Sequence, residues 1–147
     1  MSTIFAMISL TAQYALRAVV YLAKNENGFI KRSEIAEATL VPHDYLLKVL
    51  NGLDAAEIVV SRRGPGGGYR LIRRPDELTT LEVVLSVDNI PRITQCPLGI
   101  TDHEMLCPLH QLMDDASRSV EETFRKVTIS DLTQQRKPAK SCNFPSK

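Results

Sequence analysis

The chain has no tryptophan, only three cysteines and three histidines, and aromatic residues at 5% of its 147 positions. Three cysteines are an odd and sparse set, which excludes a disulfide-built secreted scaffold and leaves ligation or redox sensing as the special roles open to a thiol. No uninterrupted apolar run approaches the roughly 20 residues that cross a bilayer, so no membrane span is expected. The opening MSTIFAMISL lacks a basic region, its first cation being Arg17, and no small-residue cleavage pattern follows. No secretory signal is expected, and the cytoplasm is the expected compartment. With so few histidines, no nucleophile elbow, no phosphate-binding loop, and a GPGGG run that lacks the spacing of a dinucleotide fingerprint, no enzyme is expected.

What is present suits one globular domain with its own core: 44% hydrophobic and 24% charged residues. The formal net charge of +1 conceals an asymmetry. Residues 1–75 hold 10 Lys+Arg against 6 Asp+Glu, net +4, whereas 76–147 hold 8 against 11, net −3. One half is suited to a polyanion. The positive charge is concentrated in SRRGPGGGYRLIRRP, residues 61–75, with five arginines, four glycines and no carboxylate.

Periodicity organises the rest. TAQYALRAVVYLAK sets Ala12, Ala15, Leu16, Val19, Leu22 and Ala23 on one helical face, with Thr11 as the expected cap and the glycine of NENG as the expected stop. A short helix opening at Ser33 turns Ile35 and Ala36 inward. After Leu40, Val41 and Pro42, a longer helix buries Leu46, Val49, Leu50 and Leu53 and carries His43, Asp44, Tyr45 and Lys48 on its first turns. So tight a connection fits helix-turn-helix geometry, a pattern that any αα-hairpin shares. The next residues narrow it: a β-branched run from Ile58 to Ser61, a turn in RRGPGGG and a second strand in YRLI predict a β-hairpin. Helix, helix, basic hairpin is the order of a winged helix-turn-helix.

A wing needs backbone that approaches phosphates closely and cations that enter a narrow minor groove. Gly66, Gly67 and Gly68 offer the first, lacking a Cβ and accepting positive φ, and Arg62, Arg63 and Arg70 the second. The plainer reading, a surface hairpin with solvated arginines, sits badly with five cations and no carboxylate.

Thr80 is the expected cap of a short helix through Leu81, Val84 and Leu85. DNIPRITQCPLGITDHEMLCP then shows no sustained period, and a loop of about twenty residues marks function or disorder. From Leu109, LHQLMDDASRSVEETFRKV places Leu112, Met113, Ala116, Val120, Phe124 and Val127 on one face. That stripe packs either on its own core or on a two-fold partner, and DNA-reading domains favour the partner. The tail is polar and basic and is expected to fray. The expected layout is mainly α: a winged helix-turn-helix domain with a two-stranded β-wing at 1–87, a cysteine-containing sensor loop at 88–108, a long dimerisation helix at 109–131 and a tail at 132–147.

Three stretches, TAQYALRAVVYLA, YLLKVLNGLDAAEIVVSRRGPGGGYRL and LEVVLSVD, resemble the IscR/NsrR/CymR family of bacterial winged-helix transcription regulators. The likeness runs over roughly residues 8–132, and RGPGGGYRL after a YL-containing helix is its most specific part. The resemblance implies a homodimer on double-stranded DNA with a palindromic operator, the second helix of the motif in the major groove, the wing in the minor groove and the C-terminal helix at the dimer interface. It assigns Tyr45 and Lys48 to base and backbone contacts and Arg62 and Arg63 to the wing; His43 and Asp44 follow from position alone. Iron-sulfur members often carry Glu after the YL where this chain has Leu47, so their operator does not transfer.

Cys96 and Cys107 bracket the loop, and CPLH sets His110 three residues after Cys107. Thiolate and imidazole suit iron-sulfur ligation. Cluster-binding members of the family have three cysteines in this loop, and IscR-type members add a histidine three residues after the last. Cys96, Cys107 and His110 match the first cysteine, the last cysteine and that histidine; the middle cysteine is missing. Near its place stand Thr101, Asp102 and His103, so a 2Fe-2S cluster on Cys96, Cys107, His110 and either His103 or Asp102 is one reading. The acidic ligand that other members take from a partner's first helix corresponds to Gln13 here. A thiol switch through Cys96 and Cys107 is the second reading, and a vestigial loop the third. Cys142 lies too far from Cys107 to share one compact loop. The expected function is a dimeric transcriptional regulator, a repressor, reading a redox or iron-sulfur signal at this loop. Its rival is a winged-helix module that docks proteins without touching DNA.

Overall fold

The computed structural model describes residues 7–100 and 105–134. Within them the order is α1 (Leu10–Lys24), α2 (Arg32–Thr39), α3 (His43–Ala55), β1 (Val59–Arg62), β2 (Gly68–Leu71), α4 (Thr80–Leu85), α5 (Pro108–Lys126) and α6 (Ile129–Thr133). Thr101, Asp102, His103 and Cys142, together with the tail beyond residue 134, lie outside the described residues.

α1 is the central helix, packing against α2, α3, α4, α6 and β2. Ala12, Ala15 and Ala18 have no side chain beyond Cβ, so neighbouring elements approach closely, while Val19 and Leu22 fill the space between them. The cap is Ser9, not Thr11: its hydroxyl accepts the Ala12 N–H at 3.1 Å. The helix stops on Asn25, three residues before Gly28, because the Asn25 N–H turns back to the Leu22 carbonyl.

α2 starts at Arg32, one residue ahead of the expected Ser33, and buries Ile35 and Ala36. It ends on Leu40 in the left-handed conformation, φ 55°, with the Val41 N–H returning to the Ala36 carbonyl. α3 opens after Pro42 and buries Leu46, Val49, Leu50 and Leu53 completely, the stripe that periodicity predicts. Its exit is a Schellman turn around Glu57, φ 56°: the Glu57 N–H reaches the Asp54 carbonyl and the Ile58 N–H the Leu53 carbonyl. Gly52 lets α3 meet the end of α4, since a Cβ there would lie 2.9 Å from both the Ser86 carbonyl oxygen and Val87 Cγ1.

β1 and β2 pair antiparallel with Val59 opposite Leu71 and Arg62 opposite Gly68. Between them Gly64, Pro65, Gly66 and Gly67 make a turn closed by the Gly67 N–H on the Gly64 carbonyl at 2.9 Å. Pro65 at its second position and Gly66 at its third, φ 72°, are the type II arrangement.

Thr79, not Thr80, caps α4: its hydroxyl accepts the Glu82 N–H, and the Glu82 carboxylate accepts the Thr79 N–H in return. The helix expected over 109–131 is broken at Val127. α5 ends at Lys126, and Thr128 and Asp131 form a capping box that starts α6. Ile129 is fully buried, and the bonds Thr80 N–H to Val127 O, Ile129 N–H to Leu78 O and Ser130 N–H to Pro75 O, each 2.8 Å, stitch this segment into the winged-helix body.

A second small core of Ala12, Leu81, Val84 and Ile90 receives Val120 and Phe124 from α5. The apolar stripe of α5 is therefore divided. Its C-terminal half packs on its own chain, whereas Leu109, Leu112 and Met113 are exposed at 62%, 67% and 50%.

Candidate nucleic-acid interface

The first turns of α3 present His43, Asp44, Tyr45 and Lys48, all exposed, opposite the buried leucine stripe. Tyr45 is held from behind: its ring meets Tyr14 of α1 edge-on, centroids 5.9 Å apart. The Arg17 guanidinium lies 5.5 Å from the Tyr14 ring centre. Sequence reasoning missed this part of the site, although Tyr14 and Arg17 stand at i, i+3 spacing on α1 and so share a face. Lys48 lies close enough to Asp88 to help hold that carboxyl below its usual range, behind a hydrogen bond from Ser9 as the main cause and another from the Asn89 backbone.

The arginines of residues 61–75 divide into two groups. Arg73 pairs with Glu82 at 3.1 Å, and Arg74 grips Asp76 with two bonds of 3.1 and 2.6 Å. Arg62, Arg63 and Arg70 have no carboxylate within 4.0 Å among the described residues. Three of the five cations are thus uncompensated, and all three are exposed on the wing. Two of these, Arg62 and Arg70, lie over the Phe29 ring, 5.6 and 5.1 Å from its centre.

The glycines also divide. Gly66 is exposed with open space where a Cβ would stand. Gly67, expected among the DNA contacts, is buried inside the turn, where a Cβ would meet the Arg62 carbonyl oxygen at 2.2 Å. Gly68 faces Ile30, whose carbonyl oxygen would lie 2.2 Å from a Cβ there. The requirement for glycine at 67 and 68 comes from the hairpin itself.

Beyond α4 the loop is clamped to α5. Arg92 donates Nε and Nη2 to the two carboxylate oxygens of Asp114 at 2.7 and 2.8 Å, and the Ile93 N–H adds a third bond at 2.9 Å. Asp114 is the buried residue of α5. The Arg92 hydrogen bonds, then the Ile93 N–H, hold its carboxyl far below the ordinary range. Arg92 also reaches Glu121 at 3.3 Å.

Cys107 is the residue before α5, and its Sγ lies 3.2 Å from His110 Nδ1. Cys96 is half-buried, as is Cys107; its carbonyl accepts the Gly99 N–H. Among the described residues no three His, Cys, Asp or Glu side chains stand close enough to share a metal ion. The donor chemistry at Cys107 and His110 suits an iron-sulfur cluster, which takes four protein ligands. The described residues gather two of them, and by themselves they do not complete such a site.

A mainly helical body, a two-stranded wing and an exposed second helix after a tight turn define a winged helix-turn-helix transcriptional regulator. The chain belongs to the Rrf2 family, described as iron-dependent transcriptional regulators, which it matches over residues 8–135. It is 30% identical over 128 residues to a protein described as an HTH-type transcriptional regulator of Aquifex aeolicus, covering 83% of this chain and 88% of that one. To the similarly described BadM of Rhodopseudomonas palustris it is 32% identical over 136 residues, covering 89% and 86%. Among solved structures it is similar to IscR of T. potens, TM-score 0.71 at 21% identity over 89% of this chain and 88% of that one. It is similar also to CymR of B. subtilis, TM-score 0.72 at 24% identity over 88% and 97%. These relatives are regulators, not enzymes.

Proposed function

We propose that the protein is a dimeric cytoplasmic repressor that seats α3 in the major groove and the wing in the minor groove of a palindromic operator. The observation that carries this reading is the state of charge on the wing: among the described residues Arg62, Arg63 and Arg70 are exposed with no carboxylate within 4.0 Å, while the neighbouring Arg73 and Arg74 are neutralised. Unpaired guanidinium groups are what a phosphate backbone recruits, and binding releases counterions. A labelled duplex from upstream of the protein's own coding sequence, titrated at two salt concentrations, should lose affinity steeply as salt rises. Arg63→Ala should flatten the slope by about 0.9 for each phosphate that the arginine neutralises. Arg74→Ala, whose charge is already paired, should leave it unchanged. Binding indifferent to salt, or no footprint on any duplex, would favour the protein-docking module.

The second copy is supported by the exposed Leu109, Leu112 and Met113 on α5, with Leu98 and Met105 exposed in the preceding loop. A dimer through α5 would make the separation of two α3 helices depend on where α5 lies. A coupling of only ~1–3 kcal/mol between loop and DNA changes affinity 5- to 150-fold.

The signal reading supported best by the geometry is chemistry at the Cys107 thiol, whose Sγ lies 3.2 Å from His110 Nδ1. Cys96, the other half-buried thiol of the loop, would be the second thiol of a disulfide formed when an external two-electron oxidant such as a peroxide is present. A second reading, favoured by the same contact and by the family's iron dependence, is a 2Fe-2S cluster on Cys96, Cys107, His110 and His103; such a cluster would supply a redox-sensitive charge at the start of α5. Anaerobic isolation separates the two. Visible absorption with stoichiometric iron supports the cluster, and a colourless, iron-free protein with two alkylatable loop thiols supports the switch.

A further inference from the structure

We infer that Phe29, in the link between α1 and α2, is a positioning residue for DNA recognition: its ring is a platform that aims the Arg62 and Arg70 guanidinium groups without neutralising them. The inference rests on the DNA-binding reading and assigns to Phe29 a part in it that the helix-turn-helix and the wing alone do not require.

Phe29 reaches the wing through its neighbour in the chain. Ile30 pairs with Tyr69 of β2 in an antiparallel bridge, both N–H groups donating to the opposite carbonyl at 2.9 and 2.8 Å. This pairing exists because residue 68 has no Cβ; at φ 144° a side chain there would collide with the Ile30 carbonyl. The chain before Ile30 is thereby drawn to the edge of β2. Ile30 itself is buried, which fixes the backbone from which the Phe29 ring projects.

The register places the arginines on one side. Arg70 is opposite Val60 and Arg62 opposite Gly68, so the two alternate onto the same face as diagonal neighbours. Two like charges so placed repel each other, and two long flexible side chains would otherwise sample many rotamers. The face of an aromatic ring carries partial negative charge and attracts a guanidinium to within about 6 Å. Both arginines meet that condition at 5.6 and 5.1 Å from the Phe29 centre.

A carboxylate would restrain an arginine equally well but would also cancel its charge, as happens at Arg73 and Arg74. The ring restrains orientation and leaves the full positive charge for a phosphate. Stacking therefore reduces the conformational freedom lost when DNA binds.

The test uses the full chain and the same upstream duplex, with Phe29→Leu as the variant that keeps bulk and removes the ring, and Phe29→Tyr as the one that keeps the ring. Phe29→Leu should weaken binding about five- to thirty-fold and lower the salt slope, whereas Phe29→Tyr should bind as wild type does. Equal affinity and slope for wild type and Phe29→Leu, at unchanged melting temperature, would overturn the inference while leaving the DNA reading intact. Failure of the wild type to bind any duplex would sink that underlying reading instead. A measurement on the wild-type protein covers the case of a Phe29→Leu chain that does not fold. The Arg62 and Arg70 Nε–H resonances should show ring-current shifts; unshifted resonances would count against the platform.

Discussion

Arg92 and Asp114, 22 residues apart in sequence, are joined by a two-pronged ion pair that fixes the loop after α4 to the buried side of α5. A bidentate arginine-carboxylate pair restricts both partners in orientation as well as distance. With the Ile93 N–H on the same carboxylate, Asp114 holds backbone and side chain of the loop together.

Arg92→Ala should therefore free the loop, seen as faster proteolysis between residues 88 and 107. The pH response has a definite sign. Asp114 is held well below its ordinary value of 3.8, so its contribution is complete above that value and declines as the pH falls through it toward the depressed folded value. Melting temperature should fall more steeply below about pH 4 for the wild type than for Arg92→Ala, the two curves converging in acid.

Gly52→Ala reverses a usual trend. Alanine in a helix is normally favoured over glycine by about 1 kcal/mol, but here its Cβ would meet the Ser86 carbonyl oxygen and Val87 Cγ1 at 2.9 Å. Backbone cannot yield cheaply, so urea unfolding should show a net destabilisation of about 1–2 kcal/mol.

Leu40 and Glu57 occupy left-handed conformations at the turn before α3 and at its exit, φ 55° and 56°. Leu40→Gly and Glu57→Gly should each raise stability by about 0.5–1 kcal/mol, the relief of steric strain exceeding the entropy that glycine adds to the unfolded chain. Urea unfolding of each single variant and of the pair would test this, with effects from opposite ends of α3 expected to add.

Leu112 is exposed at 67% on α5. Leu112→Asp should leave the monomer's fold and melting behaviour nearly unchanged while abolishing self-association in sedimentation velocity. A variant that sediments as the wild type does would count against α5 as the contact of the proposed dimer.

Much of this architecture is legible in the sequence because it rests on strong local signals. The Leu46, Val49, Leu50 and Leu53 stripe has the helical period, and RRGPGGGYR contains its own turn chemistry. The Thr79 and Thr128 caps are legible too, once the carboxylates are counted: Glu82 lies three residues after Thr79, and Asp131 three after Thr128, which marks both helix starts; Ser9, with Ala12 in that place, carries no such mark. The Arg92–Asp114 clamp is different. Asp114 belongs to a DD pair that reads as a solvated helix face, and nothing local announces that an arginine 22 residues earlier will bury it. The Phe29 platform and the Tyr14–Tyr45 contact are hidden for the same reason, being contacts between elements. Residues 61–75 taken by themselves overstate the free charge of the wing, since Glu82 and Asp76 neutralise two of the five cations.

The break at Val127 gives α5 the mechanics of a lever. Its C-terminal end is pinned where Val127, Ile129 and Ser130 are bonded to residues 75–80, and Cys107 stands at the opposite end. A helix of 19 residues is about 28 Å long, so pivoting it by roughly 5° about Val127 sweeps the Cys107 end through about 2.5 Å. Levers transmit in both directions. In the proposed dimer, whatever force a change at the thiol would apply to the spacing of two α3 helices, an operator that dictates that spacing would apply back to the thiol. On the proposed reading, bound DNA would be an effector of Cys107 reactivity, and the rate of Cys107 alkylation should then change with operator occupancy at the far end of the helix.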